Sequence, residues 1–107
     1  MGSDVVIVLT TWPADRDAAP LAQALVAERL AACVNVLAEM ESTYSWKGSI
    51  EQDRERQVII KTTAARVDAV KARIAALHPY EVPELLVIPV SDGGDAYLKW
   101  VRQSVGS

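Results

Sequence analysis

The spacing of hydrophobic and polar residues changes several times along the chain, and each change predicts a new element. Residues 4–12 are β-branched and almost continuously apolar, which indicates a strand that is central in a sheet or covered on both faces. Residues 17–32 carry apolar side chains at helical spacing, with Asp15 or Asp17 as candidate N-cap. Because Pro20 is tolerated only in a first turn, the helix must begin near it.

The next two segments alternate between apolar and polar residues and predict a long β-hairpin. Residues 33–46 and 49–62 form its strands, and Lys47-Gly48 supplies the turn because glycine accepts positive φ. Strands of about 13 residues at about 3.3 Å each would reach roughly 40 Å, well beyond a typical strand. The apolar positions assigned to one face of the first strand are Val34, Val36, Ala38, Met40, Tyr44 and Trp46.

The distal half of this hairpin needs a covering partner. A domain of this length should have a radius of gyration of about 13 Å, so the hairpin extends beyond the sheet that its own helices can cover. Met40, Tyr44 and Trp46 would otherwise form an apolar edge that tends to pair. We therefore predict self-association. The alternative is a bulge that splits the hairpin into two short ones, with Trp46 closing the turn.

The remaining pattern predicts a second helix, an edge strand and a terminal helix. Thr63 is the candidate cap of the second helix, and Pro79 ends it. Residues 84–91 predict a strand in which Pro89, which has no amide donor, indicates an edge or a bulge. Gly93-Gly94 then precedes a short helix. The apolar positions of the two helices are Val67, Val70, Ile74 and Leu77 in the first and Tyr97, Leu98, Trp100 and Val101 in the second.

The predicted order is β-α-β-β-α-β followed by a C-terminal helix. This is the α+β ferredoxin-like plan, in which one antiparallel sheet carries two helices on one face. The 107 residues, 1–107, are enough for one domain.

Charge and composition exclude several classes of partner. Eleven Lys and Arg against fourteen acids give a net charge of -3, which offers no basic surface for nucleic acid or anionic lipid. The chain has no Phe, whereas RNA-binding modules of this plan stack bases on aromatic strand residues. No apolar run approaches the roughly 20 residues of a membrane span, and no basic segment precedes an export signal. We predict a cytoplasmic protein.

Cys33 and His78 are the candidate chemical residues, since each is the only one of its type. One cysteine excludes an intrachain disulfide and every zinc pattern built from Cys pairs. Cys33 is an inert core thiol, a metal ligand or a redox thiol. His78 has three interpretations: a side chain that meets the carbonyls at a helix end, a metal ligand with Glu81 or Glu84, or an acid–base catalyst. Two good ligands per subunit make a weak metal site unless subunits combine.

No arrangement of residues favours catalysis. The hairpin carboxylates lie among Arg54, Arg56 and Lys61, which predicts a face of ion pairs. The chain has no Ser-His-Asp order, no phosphate-binding loop and no dinucleotide glycine pattern. We therefore predict that the protein is not an enzyme. The carboxylates concerned are Glu39, Glu41, Glu51, Asp53 and Glu55.

Five short motifs occur in the chain in a particular order and at particular spacings. Because of these motifs, the chain resembles the CutA family of divalent-cation tolerance proteins over residues 5–101. The resemblance implies a homotrimer whose long hairpins extend over neighbouring subunits, and tolerance of copper and other divalent cations. It also implies an architecture similar to PII-type signalling trimers, which bind small molecules between subunits. The motifs are RLAACVNV (29–36), YSWKGSIEQDRE (44–55), KT (61–62), HPYEVPE (78–84) and YLKWV (97–101).

The resemblance also implies site residues. It places metal contacts at Cys33, His78 and Glu81, and the lining of a cleft at Trp46, Lys61, Tyr80 and Trp100. The leading hypothesis is a cytoplasmic homotrimer that binds copper or another divalent cation weakly. The alternative is a signalling trimer that holds an anionic or neutral small molecule near His78 and Lys61.

Overall fold

The computed structural model describes residues 3–106, and these residues fold into four strands and three α-helices. The order confirms the predicted α+β ferredoxin-like plan with its additional C-terminal helix. The elements are β1 (Val5–Pro13), α1 (Ala19–Ala27), β2 (Cys33–Trp46), β3 (Ser49–Thr63), a 3-10 turn (Ala64–Arg66), α2 (Val67–Leu77), β4 (Leu86–Pro89) and α3 (Asp95–Ser104).

The sheet has the order β2-β3-β1-β4, and every neighbouring pair is antiparallel. β1 pairs on both sides, which explains its continuous apolar run. β4 lies at the edge, where Pro89 can lack an amide donor without breaking an inner ladder. The predicted central place of β1 in the sheet and the predicted edge place of β4 are confirmed.

The core lies between one face of the sheet and helices α1 and α2. Alternate residues of β1 and β3 point to this first face, so Val8, Val58 and Ile60 are fully buried against Leu25 and Ile74. The two helices therefore share a face, as predicted. Within residues 3–106, no helix has the length and apolar character needed to cross a membrane.

The opposite face of the sheet, here called the second face, is only partly covered. α3 packs at one end of it, where Leu98 and Val101 bury Val5. Farther along, Leu86 and Ile88 of β4 stay 55% and 45% exposed. These two side chains lie on the second face because they pair with Leu9 and Ile7, whose positions alternate with the buried ones of β1.

The long hairpin is confirmed. β2 and β3 have 14 and 15 residues, and the longest dimension of the molecule is 44 Å. Lys47 and Gly48 form the turn with φ of 50° and 82°. The alternative of two short hairpins is wrong, because β2 continues to Trp46.

A β-bulge nevertheless interrupts the register of β2. Val36 pairs with Val58 but Glu39 pairs with Arg56, so two residues of β2 stand opposite one of β3. An extra residue reverses the parity of every later side chain. The assignment of all apolar residues of β2 to one face is therefore wrong: Val34 and Val36 point to the first face, whereas Met40, Tyr44 and Trp46 point to the second.

The structure changes the predicted ends of three elements, α1, α2 and β4. The first helix ends at Ala27, not at residue 32, because Arg29 takes a left-handed φ of 59°. At its start, Asp17 and not Asp15 accepts the N–H of Ala19, at 2.9 Å. Thr63 makes no capping bond, since the 3-10 turn precedes α2. Only residues Leu86–Pro89 of the predicted strand 84–91 pair with β1.

The buried face of α1 should carry much of the stability. Leu25→Ala removes a fully buried side chain and should lower the free energy of unfolding by about 2–5 kcal/mol. Val26→Ala, at a position 45% exposed on the same helix, should cost about 0.5 kcal/mol or less. Urea unfolding at one protein concentration measures both values. Equal losses would contradict this packing.

Candidate functional site

His78 joins the end of α2 to β1. Its N–H donates to the carbonyl of Ile74 at 2.8 Å, and its backbone then turns extended, with ψ of 135°. The ring Nε2 lies 2.6 Å from the carbonyl oxygen of Thr11, and Nδ1 lies 3.0 Å from the backbone nitrogen of Tyr80. Because a carbonyl only accepts and an amide N–H only donates, the ring proton is on Nε2.

Both ring nitrogens of His78 are thus engaged within the chain. The imidazole also packs between Trp12 and Tyr80, with each pair of ring centroids 4.8 Å apart. His78 lies at the end of α2, as the helix-end interpretation expected. Its ring, however, donates to a carbonyl of strand β1 and not to a carbonyl of the helix. The result is a rigid joint that fixes the position of Tyr80.

Tyr80 extends from this joint to a buried carboxylate. Its hydroxyl donates to Oε2 of Glu55 at 3.3 Å, and Glu55 is only 8% exposed. Burial, followed by the negative charge of Glu55 and this hydrogen bond, raises the pKa of Tyr80 to about 12. The phenol therefore remains a protonated donor at neutral pH.

A groove of about 780 Å³ lies between the loop after α2 and the distal hairpin, on the second face of the sheet. We call it the aromatic groove. The bulge in β2 creates its hairpin wall, because it turns Met40, Tyr44 and Trp46 to this face. The described residues that line it are Thr11, Met40, Ser42, Thr43, Tyr44, Trp46, Glu55, Gln57 and residues 79–84.

Hydrogen bonds hold both walls of the groove. The hydroxyl of Tyr44 donates to Asp53, and this bond is the main cause that raises the pKa of Tyr44 to about 12. On the loop side, Nε2 of Gln57 donates both to Glu84 and to the carbonyl of Thr10, each at 2.8 Å. The side chains on both sides are therefore fixed before any ligand enters.

The structure brings only some of the predicted cleft residues together. Trp46, Tyr80 and Glu81 line the aromatic groove. Lys61 pairs with Ile7, four residues along β1 from Thr11 and so about 13 Å away at about 3.3 Å per residue. Trp100 lies on α3, where its ring centroid is 5.4 Å from that of Tyr97. Trp100 does not line the groove.

Sequence reasoning missed Glu55, which was grouped with the exposed ion pairs of the hairpin. One such pair does form, between Arg54 and Glu39 at 2.8 Å. Glu55 differs because successive strand side chains point to opposite faces, so it points away from Arg54 and Arg56. This alternation of side chains along β3 is the feature of the sequence that could have separated Glu55 from the ion pairs.

The predicted metal ligands do not meet within one subunit. The half-buried thiol of Cys33 donates to Oδ1 of Asn35 at 3.8 Å, and Cys33 pairs with Lys61, far from the joint at His78. Among residues 3–106, no three or more His, Cys, Asp or Glu side chains are grouped so that they could hold a metal ion. The donor set of a single subunit therefore does not fit a metal; Cys33, His78 and Glu81 remain a prediction for an assembly.

The order of elements, the strand order and the long hairpin define an α+β protein of the ferredoxin-like class. Comparison with known proteins gives the family: residues 6–104 match the CutA1 divalent ion tolerance proteins. The chain is 43% identical to divalent-cation tolerance protein CutA of Thermus thermophilus over 100 residues, 94% of this chain and 97% of that one. The chain belongs to the CutA family, which confirms the resemblance.

Two further relatives support this assignment. The chain is 43% identical to the human protein CutA over 92% of its own length, and it spans 55% of the human protein. The crystal structure of the stable protein CutA1 from the psychrotrophic bacterium Shewanella sp. SIB1 superposes with a TM-score of 0.93 at 34% identity, with both chains covered completely. The fold is therefore the fold of this family.

The raised pKa of Tyr80 predicts that its phenol ionises at a higher pH than an ordinary tyrosine. An unfolded tyrosine ionises near 10, so the stabilising effect of the protonated phenol is complete below pH 10 and is lost as the pH rises to about 12. In a tyrosinate absorbance titration, Tyr80→Phe should remove one phenol that ionises near pH 12. If the variant instead loses a phenol that ionises near pH 10, Tyr80 is not buried against Glu55.

Proposed function

We propose that this protein acts in the response to divalent cations, as a cytoplasmic homotrimer that binds copper or another divalent ion weakly and is not an enzyme. The observation that carries this proposal is the match of residues 6–104 to the divalent ion tolerance family. The name of the Thermus thermophilus relative, of nearly equal length, describes the same role.

The second face of the sheet supports self-association. Leu86 and Ile88 are exposed there beside the half-buried Ile7 and Leu9, and the hairpin extends beyond the body of the subunit. An apolar patch at a sheet edge is stabilised when another copy covers it. A cyclic trimer would let each hairpin cover its neighbour.

Donors from neighbouring subunits are the proposed way to hold a metal ion. Within residues 3–106 of one chain, Cys33, His78 and Glu81 do not form a group of three donors, so an ion needs contributions from more than one copy. His78 would also have to give up its bond to Thr11 or to the N–H of Tyr80. Leaving such a buried group unpaired costs about 1–3 kcal/mol, which lowers affinity roughly tenfold to hundredfold. Weak binding follows from this cost.

A second candidate function is that of a PII-like signalling trimer with a small-molecule ligand. The aromatic groove favours it, since its volume is in the range of small-molecule sites and it contains Trp46 and Tyr80. The expected neighbourhood of His78 and Lys61 gives no support to an anionic ligand, because the two residues lie apart along β1.

The assembly can be tested by native mass spectrometry at micromolar concentration. The parent should appear at three times the chain mass of 11.6 kDa. Ile88→Glu, which puts a carboxylate on the second face, should shift the protein to the monomer. Val26→Glu, at an equally exposed position on α1, should leave the trimer intact. A parent that is monomeric at these concentrations would refute the proposed trimer.

Copper binding can be tested by calorimetric titration of the assembled protein. His78→Ala and Cys33→Ser should each weaken binding at least about tenfold, because losing even an outer-shell partner of a metal ligand costs about 10–100-fold in affinity. Glu81→Gln should weaken it more than Glu41→Gln, which makes the same change on β2 outside the predicted ligand set. If both His78→Ala and Cys33→Ser bind copper as the parent does, the two residues are structural only.

A further inference from the structure

We infer that Lys61 of one subunit forms an ion pair with carboxylates near the hairpin tip of a neighbouring copy, and that this pair fixes how each hairpin lies on its neighbour. The inference rests on the proposed trimer and adds to it which two surfaces meet. Its basis is the distribution of charge along β3.

The charges that β3 presents to the second face lie at opposite ends of the strand. Since successive side chains alternate between the faces, this face carries Glu51, Asp53 and Glu55 toward the turn and Lys61 near the end of β3. Only uncharged residues of β3 lie between them on this face, and Lys61 is the only Lys or Arg that any strand presents there. We call the three carboxylates the acidic end of β3.

Lys61 has no counter-charge within its own chain. Six residues separate it from Glu55, which is about 20 Å at about 3.3 Å per residue and too far for an ion pair. The ion pairs formed among residues 3–106 join other side chains. Near the same end of the sheet, the carboxylate of Asp4 is taken by Arg102 at 3.3 Å.

The acidic end likewise keeps its negative charge within one chain. Arg54 and Arg56 alternate with its carboxylates and so point to the first face, where Arg54 is held by Glu39 at 2.8 Å. Asp53 and Glu55 each accept a hydrogen bond from a tyrosine hydroxyl. These bonds satisfy the oxygens, but a neutral phenol does not cancel the charge of a carboxylate.

Lys61 lies within the surface that the proposed trimer covers. Cys33, Lys61, Ile7 and Ile88 are paired in one row across the sheet. At about 4.8 Å between strands, the exposed Ile88 is about 10 Å from Lys61, which is already half-buried in a single subunit. A copy that covers Ile88 therefore takes water away from the ammonium group. A buried cation is costly unless it is paired, so the covering surface has to supply a carboxylate.

A ring of identical subunits can bring the two ends of β3 together. In a cyclic trimer each contact joins two different patches, one from each subunit. The long hairpin extends beyond the body of its own subunit and carries the acidic end toward the neighbour. The second face of that neighbour offers apolar side chains around Lys61. Opposite charges then meet across the contact, and such pairs fix the register of an interface.

Zero-length cross-linking of the parent protein tests this contact. A water-soluble carbodiimide activates a carboxylate, and a lysine amine that touches it displaces the activating group to form an amide without a spacer. In trimers mixed from unlabelled and ¹⁵N-labelled chains, mass spectrometry of the digested product shows whether the two joined peptides come from different chains. We expect Lys61 to be joined to Glu51, Asp53 or Glu55 of a different chain.

Charge reversal tests what the contact contributes to the assembly. Lys61→Glu places a carboxylate against the acidic end, so its trimers should exchange subunits at least about tenfold faster than those of the parent. Lys71→Glu makes the same change at an exposed position of α2 and should alter the rate by less than about twofold. Native mass spectrometry of unlabelled and ¹⁵N-labelled trimers measures both rates, and amide spectra show that the variants fold as the parent does.

Two outcomes would overturn the inference and leave the trimer in place. One is a trimeric parent in which Lys61 is joined to no carboxylate of the acidic end of another chain. The other is a Lys61→Glu trimer that exchanges subunits at the parental rate. A parent that is monomeric in native mass spectrometry would refute the trimer and this contact together.

Discussion

The alternation of side chains along β2 and β3, and the one extra residue that reverses it, determine where the candidate site lies. Before the bulge, β2 contributes to the core through Val34 and Val36. After the bulge, the same strand presents Met40, Tyr44 and Trp46 to the second face. A regular strand would have left these side chains on the side of α1 and α2, beyond the reach of both helices. The bulge thus lets one hairpin contribute to the core at its base and to a wall of the aromatic groove at its end.

The loop after α2 is held in place by the imidazole of His78. His78 accepts from the N–H of Tyr80 and donates to Thr11, so the helix end, the central strand and the loop are held at one point. This joint brings the hydroxyl of Tyr80 to Glu55 and so places Tyr80 in the wall of the aromatic groove. In a single subunit, His78 therefore positions a wall of the groove without lining it.

Periodicity predicted the elements, their order in the ferredoxin-like plan and the length of the hairpin, because burial requires those patterns. It could not predict the bulge, since Leu37 and Ala38 are compatible with either face. The site was predicted in part: Trp46, Tyr80 and Glu81 come together, whereas Lys61 and Trp100 were assigned to a cleft by family resemblance and lie elsewhere in one subunit. Glu55 was missed because its neighbours in sequence are arginines, and only the strand geometry separates their charges.

The proposed metal contact and the aromatic groove are connected through a single atom. Nδ1 of His78 accepts the N–H of Tyr80, so an ion bound at that nitrogen would release the backbone of Tyr80. The phenol of Tyr80 is also the donor to Glu55, and its ring is a wall of the groove. An ion at Nε2 would instead break only the bond to Thr11. Which nitrogen an ion uses therefore determines whether metal binding would disturb the wall of the groove.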